Sequence, residues 1–369
     1  MTLCEALAKL DTFVRSALVQ NFPYFSCFTY SYFRKFFLNR LKEENLKQIR
    51  ISDEFKIKLW GIKFRTPLFN AAGMFKDGRG YQLAYSQYAG AFLAGTVTPK
   101  PRLGNFRKGI LHPFVPYPFS GASSNWLGLP NPGYNKVISL LQQISKAEDF
   151  PIGLSIASDG NTFADLEVLC KVFKDAERYN IDFIELNESC PNVNHEKLQH
   201  TRLDEHFIGR LEYVSTNFLK KRRRNLPVIL KLSNDLQEEF VPNLLDIVID
   251  LGFDGINFGN TSTNYEYVKS YIAEAEQRTF DYFTTVFGGG VGGSPLKEKS
   301  HSLTKCATEY LRTKSIRQEF IVIRTGGIKE YRDLEESKKQ SVALFQWYTG
   351  YFENFAKFGH SLYQNFFRF

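Results

Sequence analysis

The chain of 369 residues has no C-x-x-C pair, although it contains five cysteines. They stand at Cys4, Cys27, Cys170, Cys190 and Cys306, an odd set at irregular spacing. That pattern argues against zinc and against a redox dithiol, so no metal site is expected and a reducing compartment is. Also missing is an apolar run long enough to cross a bilayer. Glu5, Lys9, Asp11 and Arg15 break up the apolar residues of the N-terminus, which excludes a signal-peptide pattern. A cytoplasmic protein is the expectation. There is no internal repeat, and no low-complexity tract apart from the glycine run Gly288–Gly293.

The composition is that of a globular protein, 43% hydrophobic and 23% charged. The length suits one large barrel domain with an appendage, or two ordinary domains. A formal net charge of +8 favours acidic small molecules, anionic membranes or nucleic acid without choosing among them. Much of it also fits plain solvated surface.

Residues 1–50 differ from the rest. Aromatic residues crowd there, among them Phe13, Phe22, Phe25, Phe28, Phe33 and Phe36, with Arg15, Arg34, Lys35, Arg40 and Lys42 between them. Pro23 divides the stretch into two predicted helices. Either the pair packs on the main domain, or one aromatic face rests on a membrane, at the inner face of the cell membrane for a cytoplasmic protein.

Residues 51–369 form the second unit. Short apolar runs fall at 68–71, 90–97, 151–157, 183–186, 228–232, 255–258, 321–323 and 342–347, with amphipathic segments such as 162–179, 204–220 and 236–251 between many of them. Eight buried strands alternating with helices predict an α/β fold, a (β/α)8 TIM barrel with an N-terminal helical extension. A doubly wound open sheet is the alternative, but Ala71-Ala72-Gly73-Met74-Phe75-Lys76 lacks the glycine fingerprint that it needs. Two long irregular stretches, 99–132 and 259–294, interrupt the alternation.

In such a barrel the chemistry belongs at the C-terminal strand ends. There stand Lys76, Thr96, Thr98, Asn187, Ser189, Cys190, Lys231, Asn260, Thr261, Gly326, Gly327, Tyr348, Thr349 and Gly350. Several suit ordinary caps and turns. Lys231, inside an apolar strand, is expected to meet an anion or a polar ligand, because a buried ammonium is costly unless paired. Glycines after the last two strands suit a phosphate-bearing cofactor. Cys190 is either a buried structural thiol or a general base.

These residues fall into short blocks: Ala71-Ala72-Gly73 with Lys76-Asp77-Gly78, Gly95-Thr96-Val97-Thr98-Pro99, Asn125 with Gly128-Leu129-Pro130-Asn131, Asn187-Glu188-Ser189-Cys190-Pro191-Asn192, Val228–Leu232, Asn260-Thr261, Gly292-Gly293-Ser294-Pro295-Leu296 and Gly326-Gly327-Ile328. In order and spacing the chain resembles the dihydroorotate dehydrogenases over nearly its whole length. The resemblance implies an FMN-dependent oxidoreductase that converts dihydroorotate to orotate in pyrimidine synthesis. It implies that Cys190 takes the C5 proton while hydride leaves C6 for the flavin. Lys76, Asn125, Asn187, Asn192, Asn260 and Thr261 would hold the substrate. Ala72, Gly73, Thr96, Asn187, Lys231, Gly259, Gly293, Gly326, Gly327, Tyr348 and Thr349 would hold FMN. Within that set Lys231 would face the flavin N1/O2 edge, and Gly293, Gly327, Tyr348 and Thr349 the phosphate.

Members with a cysteine base are typically soluble, and some reduce fumarate. Members with a serine base carry a helical extension and reduce quinones. This chain combines Cys190, Gly128-Leu129-Pro130-Asn131 and Phe287-Gly288-Gly289 of the first kind with Phe13-Val14-Arg15 and Ala17-Leu18 of the second. Quinone is the expected acceptor and fumarate the alternative. Leu111-His112-Pro113-Phe114 stands where the quinone kind has an arginine-bearing segment. Two other readings remain: a flavin barrel reducing uracil rings in RNA, for which Lys220-Lys221-Arg222-Arg223-Arg224 is basic enough, and an inactive membrane-binding barrel. No nucleic-acid partner is expected, and self-association is left open.

Overall fold

The computed structural model describes residues 1–160, 162–188 and 204–368. Eight strands form one parallel sheet: β1 (Leu68–Asn70), β2 (Phe92–Val97), β3 (Ile152–Ile156), β4 (Phe183–Asn187), β5 (Val228–Leu232), β6 (Gly255–Phe258), β7 (Ile321–Thr325) and β8 (Leu344–Trp347). They lie in chain order from β2 to β8, and β1 pairs with β8. Every strand is buried on both faces, which explains why they read as continuous apolar runs.

Closure between β1 and β2 rests on few bonds. Gly90 N donates to Leu68 O at 2.9 Å, and Gly73 N to Gly95 O at 2.7 Å. Between them the Asn70 side chain takes the place of a ladder rung, donating to Leu93 O at 2.8 Å and accepting from Leu93 N at 3.2 Å. The barrel is therefore closed.

Helices cover its outside. The helix Phe163–Arg178 buries Leu166, Leu169, Cys170, Val172, Phe173 and Ala176, one face at helical spacing. Its start is fixed by a capping box between Thr162 and Asp165. The inside is layered. Phe69, Leu93, Phe183, Ile229, Ile321, Ile323 and Leu344 form an apolar lower layer, sealed by Trp60 and Phe64 of the hairpin beneath. Above it the inward positions turn polar.

The two stretches expected to be irregular are largely ordered. Phe114–Tyr117, Ala122–Asn125 and Gly290–Gly293 make a three-stranded antiparallel sheet over the barrel mouth. The helix Glu274–Val286 lies in the second stretch. The glycine run is thus mainly strand, and its partner lies far away in sequence, where local periodicity gives no sign of it.

The N-terminal helices are α1 (Leu3–Asn21) and α2 (Pro23–Glu43). Thr2 and Glu5 cap α1, and Pro23 opens α2 at a position where its missing N–H costs nothing. They pack on the barrel through Cys4, Val19, Cys27, Tyr30, Phe37, Leu38 and Leu41. Ser31 Oγ on α2 accepts from Phe114 N at 2.9 Å. Leu10, Phe13, Val14, Phe22, Tyr24, Phe25, Phe28, Tyr32 and Phe36 stay exposed. Among the described residues, no helix is long and apolar enough to cross a membrane.

Candidate active site

At the C-terminal end of the barrel opens a pocket with about 990 Å³ of space free of atoms. Alternation along the strands aims Ser155, Glu185, Asn187, Lys231, Asn257, Thr325 and Gln346 inward near this end. They are tied together. Lys231 Nζ donates to Glu185 Oε1 at 3.2 Å and to Gln346 Oε1 at 3.0 Å. Glu185 Oε2 accepts from Asn257 at 2.9 Å and from Gln346 at 2.6 Å. Thr325 Oγ1 lies 2.9 Å from Asn257 Oδ1. A satisfied buried network of this kind holds its members in one arrangement.

A second chain of bonds crosses another part of the pocket wall. Thr96 and Ser155 share a bond of 3.0 Å, Asn187 Nδ2 donates to Thr96 Oγ1 at 3.0 Å, and Asn260 Nδ2 donates to Asn187 Oδ1 at 3.3 Å. Asn260 Oδ1 accepts from Thr261 N at 2.9 Å. Thr261 Oγ1 is buried and makes no hydrogen bond among the described residues.

The structure brings Ala72, Gly73, Lys76, Thr96, Asn125, Asn187, Lys231, Gly259, Asn260, Thr261, Gly293, Gly326, Gly327, Tyr348 and Thr349 to the wall of this one pocket. Cys190 and Asn192 lie outside the described residues. Lys231 meets an anion inside the barrel itself: it pairs with the Glu185 carboxylate from β4. Glu185, Asn257 and Gln346 were missed by sequence reasoning. The available signal was the same as for Lys231: a polar side chain inside a short apolar run.

Glu188 faces away from the pocket. It forms a bidentate pair with Arg210 of the helix Glu205–Asn217, at 2.9 and 3.1 Å, with both side chains buried. The basic run beyond that helix is partly spent on structure. Arg222 pairs with Asp254, and Arg224 donates to the Glu177 and Ile181 carbonyls at the end of the helix Phe163–Arg178. Lys220, Lys221 and Arg223 stay exposed.

Gly293, at the end of a strand over the mouth, and Gly327, after β7, fit a phosphate-bearing group. Gly293 and Gly327 have φ of +103° and +69°. A Cβ on Gly293 would strike the Gly121 carbonyl, and one on Gly327 the Lys297 backbone. The helix Thr349–Phe358 begins beside them, and its first N–H groups lack intrahelical partners. A cradle of backbone donors, a buried cation and an orphaned hydroxyl therefore share one pocket.

A second cavity lies between α1, α2 and the barrel. Its walls are mainly apolar, with Tyr30, Phe33, Phe37, Phe114, Phe352 and Phe355 prominent. Ser123, Tyr348 and Thr349 line both cavities, and Ser123 Oγ sits 3.2 Å from Thr349 Oγ1 in the wall between them. The segment Leu111–Phe114 brings no arginine to it. Arg34 comes instead from α2, stacks over the Phe114 ring at 5.5 Å and donates to Tyr348 OH at 3.3 Å. Asp11 accepts from Tyr30 OH at 2.8 Å, and burial pushes its carboxyl above the usual range. His112 turns aside to the Leu103 carbonyl at 2.6 Å; burial holds its pKa down at about 4.

A family model described as dihydroorotate dehydrogenase matches residues 54–364. A dihydroorotate dehydrogenase (quinone) of Nitratiruptor sp. is 30% identical, with 88% of this chain and 83% of the relative covered. One of the same description from Nitrosomonas europaea is 26% identical over 85% of this chain and 86% of its own length. A crystal structure of DHODH from Eimeria tenella in complex with ferulenol shares the fold, with a TM-score of 0.72 over 90% of each chain at 19% identity. The chain belongs to the dihydroorotate dehydrogenase family, flavin-dependent oxidoreductases that act on dihydroorotate in pyrimidine biosynthesis.

Proposed function

We propose that this chain oxidises dihydroorotate in the barrel mouth, holds FMN as its flavin, and passes the electron pair to a quinone in the second cavity. The observation that carries the choice of acceptor is that cavity. It is apolar, shares a thin wall with the mouth, and is capped by the same helices that expose an aromatic face. Quinones dissolve in lipid, so α1 and α2 resting on a bilayer would feed the cavity directly. The two relatives described as quinone enzymes support the same acceptor.

The residues divide the work. Asn125, Asn187, Asn192, Asn260 and Thr261 hold the carboxylate and ring amides, with Lys76 beside substrate and flavin. Cys190 takes the C5 proton. A free thiol has a pKa near ~8.5, so this base depends on placement and on exclusion of water. FMN, when bound, accepts the hydride from C6. Lys231 would face its N1/O2 edge, Ala72, Gly73, Thr96, Gly259 and Gly326 would flank it, and backbone at Gly293, Gly327, Tyr348 and Thr349 would hold its phosphate. Overall, dihydroorotate and quinone give orotate and quinol, which balances both protons and electrons.

Anaerobic mixing with dihydroorotate tests the first half: the bound flavin should bleach, and no bleaching overturns the substrate assignment. Cys190→Ala should keep yellow flavin and lose about 10²-fold or more in bleaching rate; an unchanged rate removes the thiol from the base role. Bleached enzyme then meets a short-chain quinone or fumarate. Reoxidation by fumarate alone would transfer the acceptor to the soluble side. Vesicle sedimentation of wild type against Phe13→Glu with Phe25→Glu checks the lipid face, with loss of binding expected.

A further inference from the structure

Glu185 does not reach the substrate side of the pocket. It sits within the barrel, 1% exposed, and its carboxylate is held by Lys231, Asn257 and Gln346. Lys231 in turn is 3% exposed and still lines the pocket. An ammonium has three hydrogens to donate. Glu185 and Gln346 take two of them, which leaves the third for whatever occupies the pocket.

We propose that Glu185 sets the reduction potential of the bound flavin through Lys231, by cancelling part of the lysine's charge. The inference rests on the reading that Lys231 faces the flavin edge where negative charge gathers on reduction. A fixed cation there favours the reduced form and raises the potential. A carboxylate 3.2 Å behind the ammonium opposes that field, and both groups are buried, where charges act strongly. The flavin then stays a better electron donor than a lone lysine would allow.

Three features make this more than a means of burying a lysine. The carboxylate is braced by two amides from β6 and β8 as well as by the ammonium, so its charge is fixed in place. Gln346 touches both partners, which locks the distance between the charges. Asn257 and Thr325 extend the bracing to β7. Glu185 is thus a positioning residue acting through Lys231, without touching substrate.

The test is potentiometric titration of the flavin in the holoenzyme. Glu185→Gln keeps the shape and removes the charge. It should raise the reduced-to-oxidised ratio at a fixed poise by about tenfold, a positive shift of ~30 mV for a two-electron couple. Lys231→Gln should shift the potential negative, and adding Glu185→Gln to it should then shift it far less than in the wild-type background. If Lys231→Gln leaves the potential unmoved, the placement of Lys231 at the flavin fails. If Lys231→Gln moves it and Glu185→Gln does not, or moves it negative, the role of Glu185 is overturned. Should the Gln variant lose flavin, Glu185→Asp withdraws the charge by one methylene. A smaller positive shift is then expected, and no shift overturns the proposal.

Discussion

The two cavities of this protein are neighbours built by opposite means. The barrel mouth takes its polar side chains from the ends of strands and ties them into buried chains, Glu185–Lys231–Gln346 below and Thr96–Asn187–Asn260 above. The outer cavity takes aromatic side chains from helix faces and the barrel flank, with Arg34, Arg15 and Asp11 as its polar exceptions on α1 and α2. A polar planar substrate needs fixed hydrogen-bond partners, and strands cross-linked to one another supply them. An apolar acceptor needs area and shape, which two packed helices supply at less cost in buried polarity. Ser123, Tyr348 and Thr349, common to both, form the wall between them.

The contrast breaks hardest where the mouth is braced. Arg210→Leu would leave the Glu188 carboxylate buried without its partner, and urea unfolding should show a loss of about 3–5 kcal/mol. A loss below ~1 kcal/mol would mean that water or another group reaches Glu188. Next comes a reciprocal pair. Asn187→Ala should weaken kcat/KM for dihydroorotate by about tenfold or more, the value of a hydrogen bond to a charged ligand, and leave the KM for quinone unchanged. Arg34→Ala should do the reverse, slowing quinone turnover while dihydroorotate still bleaches the flavin at the wild-type rate. If both variants alter both half-reactions equally, the cavities are one site and the comparison fails.

The last effect is in acid. Burial, only partly offset by the Leu103 carbonyl, holds the His112 pKa at about 4, below its ordinary 6.5. The folded state therefore favours neutral His112. Its contribution is complete above pH 6.5 and is lost as pH falls from there toward 4. Melting temperatures across that window should drop more for wild type than for His112→Gln. Parallel curves would show that His112 is hydrated in the folded protein.

Much of the mouth was legible because barrel strands leave two local signs: a short run buried on both faces, and an unusual polar residue where the run ends. All eight strands were found this way, with ends displaced by a residue or two. Lys231 stood out by the same logic, and Asn187 and Thr96 through their blocks. What local patterns miss is who pairs with whom. Ala122–Asn125 and Gly290–Gly293 each read as irregular because glycine and serine carry little periodicity, and the pairing that orders them joins distant parts of the chain. The outer cavity escaped for a related reason. Its aromatic residues were visible, but helical spacing alone does not tell a face packed on a partner from one left bare.

The sequence by itself thus determined the alternation of strands and helices, the polar strand ends and the family, since each depends on residues close together or on motifs in fixed order. Tertiary structure decided the rest. It set the Lys231 ammonium against Glu185 across 46 positions and against Gln346 across 115. It brought Arg34 beside Tyr348 across 314. A buried charge must find a partner, but only closure of the barrel and docking of α1 and α2 determine which partner is within reach.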